Sequence, residues 1–259
     1  MITRTSHQAV APQRAIVIPA YLESDALPIL IAELVQKMSD RDVIVVVDDS
    51  PTEIADETAT RCRAAAGDRS SQVHIHTSGQ RTGRGGAVRR GFKLAFEKWA
   101  SVRWFVECDA DGSHRAADII QALEHSLPVD LLIGSRYLPQ SEIIGWSISR
   151  RLQSRLLNVA IPRILGLNIH DVTNGLRRYS RAAVSELLEQ APVSSTFIYL
   201  TEQAYIVHRA GFSMSEIPIT FEERRAGTSS VTWRELKASL QGLLRITRLR
   251  KIANTSGAE

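Results

Sequence analysis

The segment WFVECDADGSH, residues 104–114, joins a short apolar run to two aspartates that stand one residue apart. The apolar run is typical of a buried strand, and Asp109 and Asp111 follow at the point where that strand should end. Neighbouring carboxylates repel each other unless something offsets their charge. The segment therefore predicts a strand that carries a charged site to the edge of a sheet.

Similar apolar segments alternate with helical periodicity through the first half of the chain. The segments predicted to be strands are 14–20, 42–50, 72–77, 102–108 and 129–135. The segments predicted to be helices are 26–38, 53–66, 86–99 and 116–126. This alternation predicts an α/β fold, with a mostly parallel sheet and helices on both faces. The second half is more helical, with helices predicted near 146–165, 180–190, 198–210 and 231–250 and an extended segment at 213–221.

The composition indicates a globular protein with no strong preference for nucleic acid. Of 259 residues, 44% are hydrophobic and 23% are charged, as in ordinary soluble domains. The formal charge of +4 is modest, so we expect no nucleic-acid partner. No apolar run approaches the ~18 residues of a membrane-spanning helix. Cys62 and Cys108 have neither disulfide nor metal spacing, which predicts a reducing, cytoplasmic location.

Polar residues follow four of the predicted strands. In open α/β sheets, ligands bind beyond the carboxyl ends of the strands. Each of these segments alone would predict only a turn, but four at one edge favour a binding site. The segments are PAYLE (19–23), DDS (48–50), DADGSH (109–114) and GSRY (134–137).

Several common ligand motifs are excluded at this edge. The turn after the first strand lacks the G-x-G-x-x-G of a dinucleotide site, and Glu23 there would repel a phosphate. The segment TGRGGA (82–87) lacks the Lys-Ser/Thr ending of a P-loop. An EF-hand that began at Asp109 would need Gly and Glu where His114 and Ile120 stand. What remains is a divalent cation held by carboxylates, with open positions for a diphosphate.

Eight segments resemble, in order and spacing, the dolichyl-phosphate mannosyltransferases, which are family-2 glycosyltransferases with a GT-A fold. The segments are VIPAYLES, VIVVVDDS, GRGGAVRRGF, ECDADGSH, LLIGSRYLP, SRRLQSRLLN, DVTNGLRRYSR and EIPITFEERRAGTSS. The resemblance covers about residues 14–249. It implies a GT-A catalytic domain (14–230). The residues outside that domain predict a disordered tail (1–13), a basic amphipathic helix (231–251) and a second disordered tail (252–259).

The resemblance implies inverting transfer of mannose from GDP-mannose to a polyprenyl phosphate of the dolichyl type, assisted by Mg²⁺ or Mn²⁺. Asp109, Asp111 and Ser113 would hold the metal, which neutralises the departing nucleoside diphosphate. Two departures from the family pattern leave the donor open: Ser230 replaces a lysine, and DDSPTE (48–53) is shorter than usual. The residues assigned to the donor and its metal are Pro19, Tyr21, Glu23, Val47, Asp49, Asp109, Ala110, Asp111, Ser113, Arg224 and Ser230.

The acceptor side implied by the resemblance consists of Arg136, Arg150 and Ser154, which act together with Asp111 as the catalytic set. Arg150 and Ser154 are four residues apart on a predicted helix and therefore share a face. A guanidinium fork matches phosphate oxygens, so the set is suited to clamp a phosphate. A phosphate monoester is already anionic at neutral pH, so no general base is required.

The basic amphipathic helix predicted at 231–251 would bring the chain to an anionic membrane surface, as a peripheral protein on the cytoplasmic face or through a membrane partner subunit. Two alternatives stay open. One keeps the fold and chemistry with another nucleotide sugar, such as UDP-glucose or UDP-GlcNAc, or with a soluble acceptor. The other is a non-catalytic subunit that binds a nucleotide sugar.

Overall fold

The computed structural model describes residues 11–190 and 198–223. Within these ranges the strands are β1 (Arg14–Ala20), β2 (Asp42–Asp48), β3 (Val73–Thr77), β4 (Trp104–Glu107), β5 (Leu131–Ser135), β6 (Glu142–Ile144), β7 (Arg177–Ser180), β8 (Met214–Pro218) and β9 (Thr220–Glu222). The helices are α1 (Ala26–Val35), α2 (Thr52–Ala66), α3 (Gly83–Lys98), α4 (Ala116–Glu124), α5 (Ile148–Leu165), α6 (Arg181–Glu189) and α7 (Tyr199–Arg209), and a short 3₁₀ segment covers Gly67–Gln72.

Seven of the strands form one mostly parallel sheet in the order β3-β2-β1-β4-β7-β5-β8. The predicted α/β fold class is therefore confirmed. Strand β7 runs antiparallel to both of its neighbours, β4 and β5. Because β4 and β5 each oppose β7, they run in the same direction, and their carboxyl ends lie at the same edge as those of β1 and β2.

Helices cover both faces of the sheet, as predicted. On one face, α3, α6 and α7 enclose a core in which Phe92 contacts Phe105 and Tyr179 edge to face. On the other face, α1, α2 and α4 pack on the branched aliphatic side chains of β1 and β2. Helix α3 approaches the sheet closely at Gly91, where a Cβ would lie 2.4 Å from Val17 Cγ1. The two cores fix the carboxyl edge of the sheet, where the candidate site lies.

Strand β7 was not predicted, because its sequence RRYS is polar and would suit a turn. Both arginines are nonetheless buried. The Arg177 guanidinium donates to the backbone carbonyls of Asn174, Leu200 and Val172. A buried guanidinium is tolerated when carbonyl acceptors satisfy its donors. Two of those acceptors lie in the segment directly before β7, and the third, Leu200, lies on α7, which a local sequence pattern does not indicate.

Several predicted boundaries differ from the observed ones. Helix α3 begins at Gly83, so the glycine-rich segment belongs to the helix rather than to the loop before it. The extended segment predicted at 213–221 divides into β8 and β9, and β9 pairs with β6 in a separate two-stranded sheet. Gln13, in the predicted N-terminal tail, hydrogen-bonds through its backbone to Arg41 and Arg103. The predicted helix at 231–251 and the tail at 252–259 lie outside the described residues.

Candidate active site

The acidic loop after β4 is held in one conformation by hydrogen bonds within the chain. Gly112 adopts a φ of +76°, in the left-handed region that favours glycine. The turn lets Asp111 Oδ1 accept the Ser113 backbone N–H at 3.0 Å. His114 Nδ1 accepts the Asp109 backbone N–H at 3.1 Å. His114 Nε2 therefore carries the ring hydrogen and donates it to Asn174 Oδ1, 2.8 Å away.

Arg84 offsets the charge of Asp109. Its Nη2 lies 2.6 Å from Asp109 Oδ1, and its Nη1 donates to the hydroxyl of Tyr199. Burial alone would lower the pKa of Arg84, but Asp109, Tyr199 and Glu107 raise it above its ordinary value. The repulsion between the two aspartates is thus reduced in part by an arginine from α3. Arg84 was not predicted to belong to the site, because a lone arginine in a glycine-rich segment gives no local signal.

The residues predicted to hold a metal fit that role in part. Carboxylate and hydroxyl oxygens are the hard ligands that Mg²⁺ and Mn²⁺ prefer. Ser113 Oγ is buried and has no hydrogen-bond partner among the described residues. Asp111 is buried beside it, whereas Asp109 is already paired with Arg84. No group of three His, Cys, Asp or Glu side chains in the described ranges could hold a metal.

The residues predicted to bind the nucleotide gather at the ends of β1 and β2. Pro19 and Val47 are direct neighbours in the paired strands, and both are buried. Pro19 and Val47 therefore lie beneath the side chains that follow β1 and β2. Tyr21 and Glu23 follow β1, and the Arg81 guanidinium lies 4.2 Å from the centre of the Tyr21 ring. Arg81 therefore occupies one face of the Tyr21 ring.

Asp49 is engaged inside the chain rather than open to a ligand. One carboxylate oxygen accepts from the hydroxyl of Ser78 at 2.7 Å and from Arg90 Nη1 at 3.1 Å. The other oxygen accepts from the backbone N–H and the hydroxyl of Thr82, at 2.7 and 2.6 Å. In this structure Asp49 fixes residues 78–82 at the amino end of α3. A direct contact between Asp49 and a nucleotide stays a prediction, as does one involving Ala110, which is buried in the acidic loop.

Arg136, the first residue of the predicted acceptor set, is buried and held by Asp171. Its Nε and Nη2 donate to the two carboxylate oxygens of Asp171 at 2.7 and 2.8 Å. Its Nη2 also donates to the hydroxyl of Thr173. Burial alone would lower the pKa of Arg136, but Asp171 raises it. The charge of Arg136 is thereby fixed in position at the end of β5.

Arg150 and Ser154 lie on α5 and contact two different segments of the chain. Arg150 Nη1 pairs with Glu223 Oε1 at 2.9 Å. The hydroxyl of Tyr137, the residue after Arg136, donates to Ser154 Oγ at 2.6 Å. The structure therefore brings the three predicted acceptor residues to one end of the sheet.

Two aromatic side chains connect the acidic loop with these arginines. The Phe221 ring lies 5.4 Å from the ring of His114 and 5.4 Å from that of Trp146. The guanidinium carbons of Arg136 and Arg150 lie 5.1 and 4.2 Å from the Trp146 ring centre. Trp146 Nε1 is buried without a partner among the described residues. The acidic loop (109–114) and the arginine cluster (Arg136 and Arg150) are thus linked through Phe221 and Trp146. Neither aromatic residue was predicted to belong to the site.

Two predicted donor residues, Arg224 and Ser230, lie outside the described residues, which end at Glu223 in this part of the chain. None of the helices in the described ranges is long and apolar enough to cross a membrane.

Comparison with known sequences gives clear matches. The profile of glycosyl transferase family 2 matches residues 15–188. The chain is 36% identical over 217 residues to an undecaprenyl-phosphate mannosyltransferase of Micrococcus luteus. This alignment covers 83% of this chain and 86% of the relative. The chain is also 31% identical over 229 residues to a polyprenol monophosphomannose synthase of Mycolicibacterium smegmatis. That alignment covers 87% of this chain and 83% of the synthase.

Comparison with solved structures gives matches in fold. The glucosyl-3-phosphoglycerate synthase of Mycobacterium tuberculosis, solved with Mn²⁺, UDP and glucosyl-3-phosphoglycerate, superposes with a TM-score of 0.64 at 17% identity. The match covers 91% of this chain and 80% of the synthase. A further mycobacterial protein superposes with a TM-score of 0.68 at 15% identity, covering 92% of this chain and 76% of that one. At these identities the likeness concerns the GT-A fold alone.

Proposed function

The chain belongs to glycosyl transferase family 2, and we propose that it transfers mannose, with inversion, from GDP-mannose to a polyprenyl phosphate in a reaction that depends on a divalent metal. The observation that carries the proposal is the joining of the acidic loop and the arginine cluster through Trp146 and Phe221. One end of the site suits a cation with a diphosphate, and the other suits a phosphate monoester. The two related mannosyltransferases support this sugar and this class of acceptor.

On the donor side, Asp111 and Ser113 are the residues best suited to the metal, with Asp109 beside them. A divalent cation there would neutralise the charge that grows on the departing nucleoside diphosphate. The region around Tyr21 would receive the base. The left-handed turn at Gly112 and the hydrogen bonds of Ser113 and His114 keep the acidic loop in place before any ligand binds, so little reorganisation is needed.

On the acceptor side, Arg136 and Arg150 would hold the phosphate of the lipid. Asp171 engages the Nε and Nη2 of Arg136, so Nη1 is the amino group offered to a phosphate oxygen. The Trp146 ring lies against both arginines and keeps them close together. The phosphate oxygen is itself the nucleophile, and the arginines orient it towards the donor sugar.

The proposed route to a lipid acceptor is the outward face of α5. Four apolar side chains share that face and are exposed: Ile148, Leu152, Leu156 and Val159. The exposed fraction reaches 85% at Ile148 and 60% at Leu156. Arg155 and Arg163 stand among them, also exposed. An exposed apolar stripe with arginines is typical of a helix that lies in a bilayer interface. The anionic surface adds about 1 kcal/mol of attraction per basic residue.

The buried side of the same helix carries the contacts of the acceptor site, through Ser154 and Asn158. Docking of α5 on a bilayer would therefore bring Arg150 and Arg136 close to the lipid headgroups. This gives a peripheral location on an anionic membrane surface without help from the predicted helix at 231–251.

The transfer assay combines the purified chain with a panel of donors and acceptors, and products are identified by mass spectrometry. We expect mannosyl phosphoprenol from GDP-mannose and polyprenyl phosphate, and loss of product in excess EDTA. Asp111→Asn should lower kcat by at least about 100-fold, since a metal contributes several kcal/mol to the transition state. If product forms only with UDP-glucose or UDP-GlcNAc, the proposed donor is wrong. If product forms only with a soluble acceptor, the proposed acceptor is wrong. Nucleotide binding without any product would favour a non-catalytic subunit.

A vesicle assay tests the α5 face separately from the chemistry. Wild type should sediment with phosphatidylglycerol vesicles at low salt, and Leu152→Glu combined with Leu156→Glu should abolish this. Ile29→Glu is the matched control, since Ile29 is an exposed apolar residue on α1, on a different surface. Equal sedimentation of the α5 variant and the control would contradict docking through α5.

A further inference from the structure

Arg150, which belongs to the proposed phosphate clamp, already pairs with a carboxylate of the chain. Its Nη1 lies 2.9 Å from Oε1 of Glu223. Its guanidinium carbon lies 4.2 Å from the centre of the Trp146 ring. A carboxylate oxygen meets the arginine as a phosphate oxygen would, because both are anionic acceptors of charge-assisted hydrogen bonds. The place proposed for the acceptor phosphate is therefore taken in part by an anion of the chain itself.

The backbone around Glu223 holds the carboxylate at this place. Glu223 directly follows β9, and its backbone N–H donates to the carbonyl of Ile144 at 3.0 Å. Gly145 has a φ of +86°, and a Cβ there would lie 2.7 Å from Cβ and 3.2 Å from Oε2 of Glu223. A larger residue at Gly145 would therefore displace the Glu223 side chain. The glycine leaves room for the carboxylate in front of Arg150.

The pair between Arg150 and Glu223 can exchange partners at small cost. The two side chains are 32% and 50% exposed, and ion pairs of that kind contribute little to stability. Arg136, by contrast, is buried and donates to both carboxylate oxygens of Asp171. A ligand that competes for the clamp would therefore displace Glu223 from Arg150 and leave Asp171 on Arg136.

Charge favours the phosphate in this exchange. A phosphate monoester carries a charge of about −1.5 to −2 at neutral pH, whereas a carboxylate carries a single negative charge. The phosphate also offers more acceptor oxygens to the guanidinium fork of Arg150. The acceptor phosphate can therefore replace the Glu223 carboxylate, but part of its binding free energy is used to break the existing pair.

We propose that Glu223 is a counter-anion that occupies Arg150 until the acceptor phosphate displaces it, and that Glu223 thereby lowers the affinity of the site for this phosphate. The inference rests on the acceptor part of the proposed function. It has a consequence that a structural role would not have: removal of the Glu223 charge should tighten acceptor binding. Loss of a contact that merely positions Arg150 would weaken it.

The test measures binding of geranyl phosphate, a short prenyl phosphate, to the full chain by isothermal titration calorimetry. We expect Glu223→Gln to bind geranyl phosphate about fivefold more tightly than wild type, a modest factor because both partners are partly exposed. Glu223→Ala, which also removes the carboxylate, should tighten binding in the same way. Equal or weaker binding by these two variants would overturn the proposal.

Glu222→Gln is the matched control, because it removes the same charge from the neighbouring residue. Oε1 of Glu222 lies 2.6 Å from Nε of Arg115, which is not part of the proposed clamp. The affinity of Glu222→Gln for geranyl phosphate should equal that of wild type. A gain as large as that of Glu223→Gln would show a general effect of net charge, and it would overturn the proposal.

A double variant distinguishes displacement from repulsion at a distance. If Glu223 acts through Arg150, Glu223→Gln should leave the affinity of Arg150→Ala for geranyl phosphate unchanged. An equal gain in both backgrounds would show that the carboxylate only repels the phosphate, and displacement would be wrong.

The same titrations separate this inference from the proposed function. If neither wild type nor Glu223→Gln binds geranyl phosphate, the proposed acceptor is wrong and the inference falls with it. If both bind geranyl phosphate with equal affinity, the proposed acceptor stands and only the inference is overturned.

Discussion

Replacement of Asp171 by asparagine should destabilise the protein more than its small chemical change suggests. Asp171 is fully buried, and its carboxylate accepts five hydrogen bonds. Three come from the backbone N–H, Nε and Nη2 of Arg136 at 3.0, 2.7 and 2.8 Å, and two come from the backbone N–H and hydroxyl of Thr173 at 3.3 Å each. Asparagine keeps the shape but replaces one acceptor oxygen with a donor amide, which would face other donors. The Arg136 guanidinium would then remain buried without its counter-charge.

The magnitude follows from this geometry. Breaking a buried ion pair by removing one partner costs about 3–5 kcal/mol, because the remaining charge is uncompensated. In a protein of this size, each kcal/mol lowers Tm by about 2–4 °C, so the expected decrease is roughly 6–20 °C. Replacing both partners with apolar residues of similar volume removes the stranded charge. Arg136→Met combined with Asp171→Leu should therefore recover much of the lost stability.

The assay is thermal and urea unfolding followed by circular dichroism. Glu97→Gln serves as the control, because it breaks a pair with Lys93 that is exposed on both sides and 3.8 Å long. Such a pair contributes about 0.3–0.5 kcal/mol, so its Tm should barely change. A loss below about 1 kcal/mol for Asp171→Asn would refute the reasoning. So would a double variant that is less stable than the single one.

Three further predictions follow from the site and the core. Arg150→Ala should raise the KM for polyprenyl phosphate about tenfold and leave GDP affinity unchanged by calorimetry, because one charge-assisted contact is lost; a loss of GDP affinity instead would assign Arg150 to the donor. Burial raises the pKa of Cys62 to about 12, so its thiol should resist Ellman's reagent at pH 8 until the protein unfolds, and rapid labelling of the native chain would contradict this. Burial alone would raise the pKa of Asp130, but hydrogen bonds from Ser213 and Ser180 lower it below its ordinary value. Asp130 therefore contributes stability above its unfolded pKa of about 3.9 that is lost as pH falls through the lower folded value, and Asp130→Asn should flatten that part of the stability curve.

The parts of the fold that were predictable from sequence are those with a local signal. The β-branched runs of β1 and β2 and the helical periodicity of α1 indicate their own conformations, and alternation then gives the parallel sheet. The parallel sheet in turn predicts that Asp109 and Arg136 lie at the same edge, beyond the carboxyl ends of β4 and β5, and the structure shows them there. The bond from Arg177 to the Leu200 carbonyl, the counter-charge on Arg84 and the aromatic link through Trp146 depend on residues far away in sequence. No local pattern indicates such contacts, so these features emerge only from the structure.

The segment before β7, residues 171–175, connects both halves of the site. Asp171 holds Arg136 on the proposed acceptor side, and Asn174 holds the ring of His114 in the acidic loop. Gly175 leaves room for the Arg84 guanidinium beside Asp109. These contacts require the segment to lie between the ends of β4 and β5, which is where the antiparallel insertion of β7 puts it. The unpredicted strand is therefore the reason that a single five-residue segment can set the distance between the proposed metal and the proposed phosphate clamp.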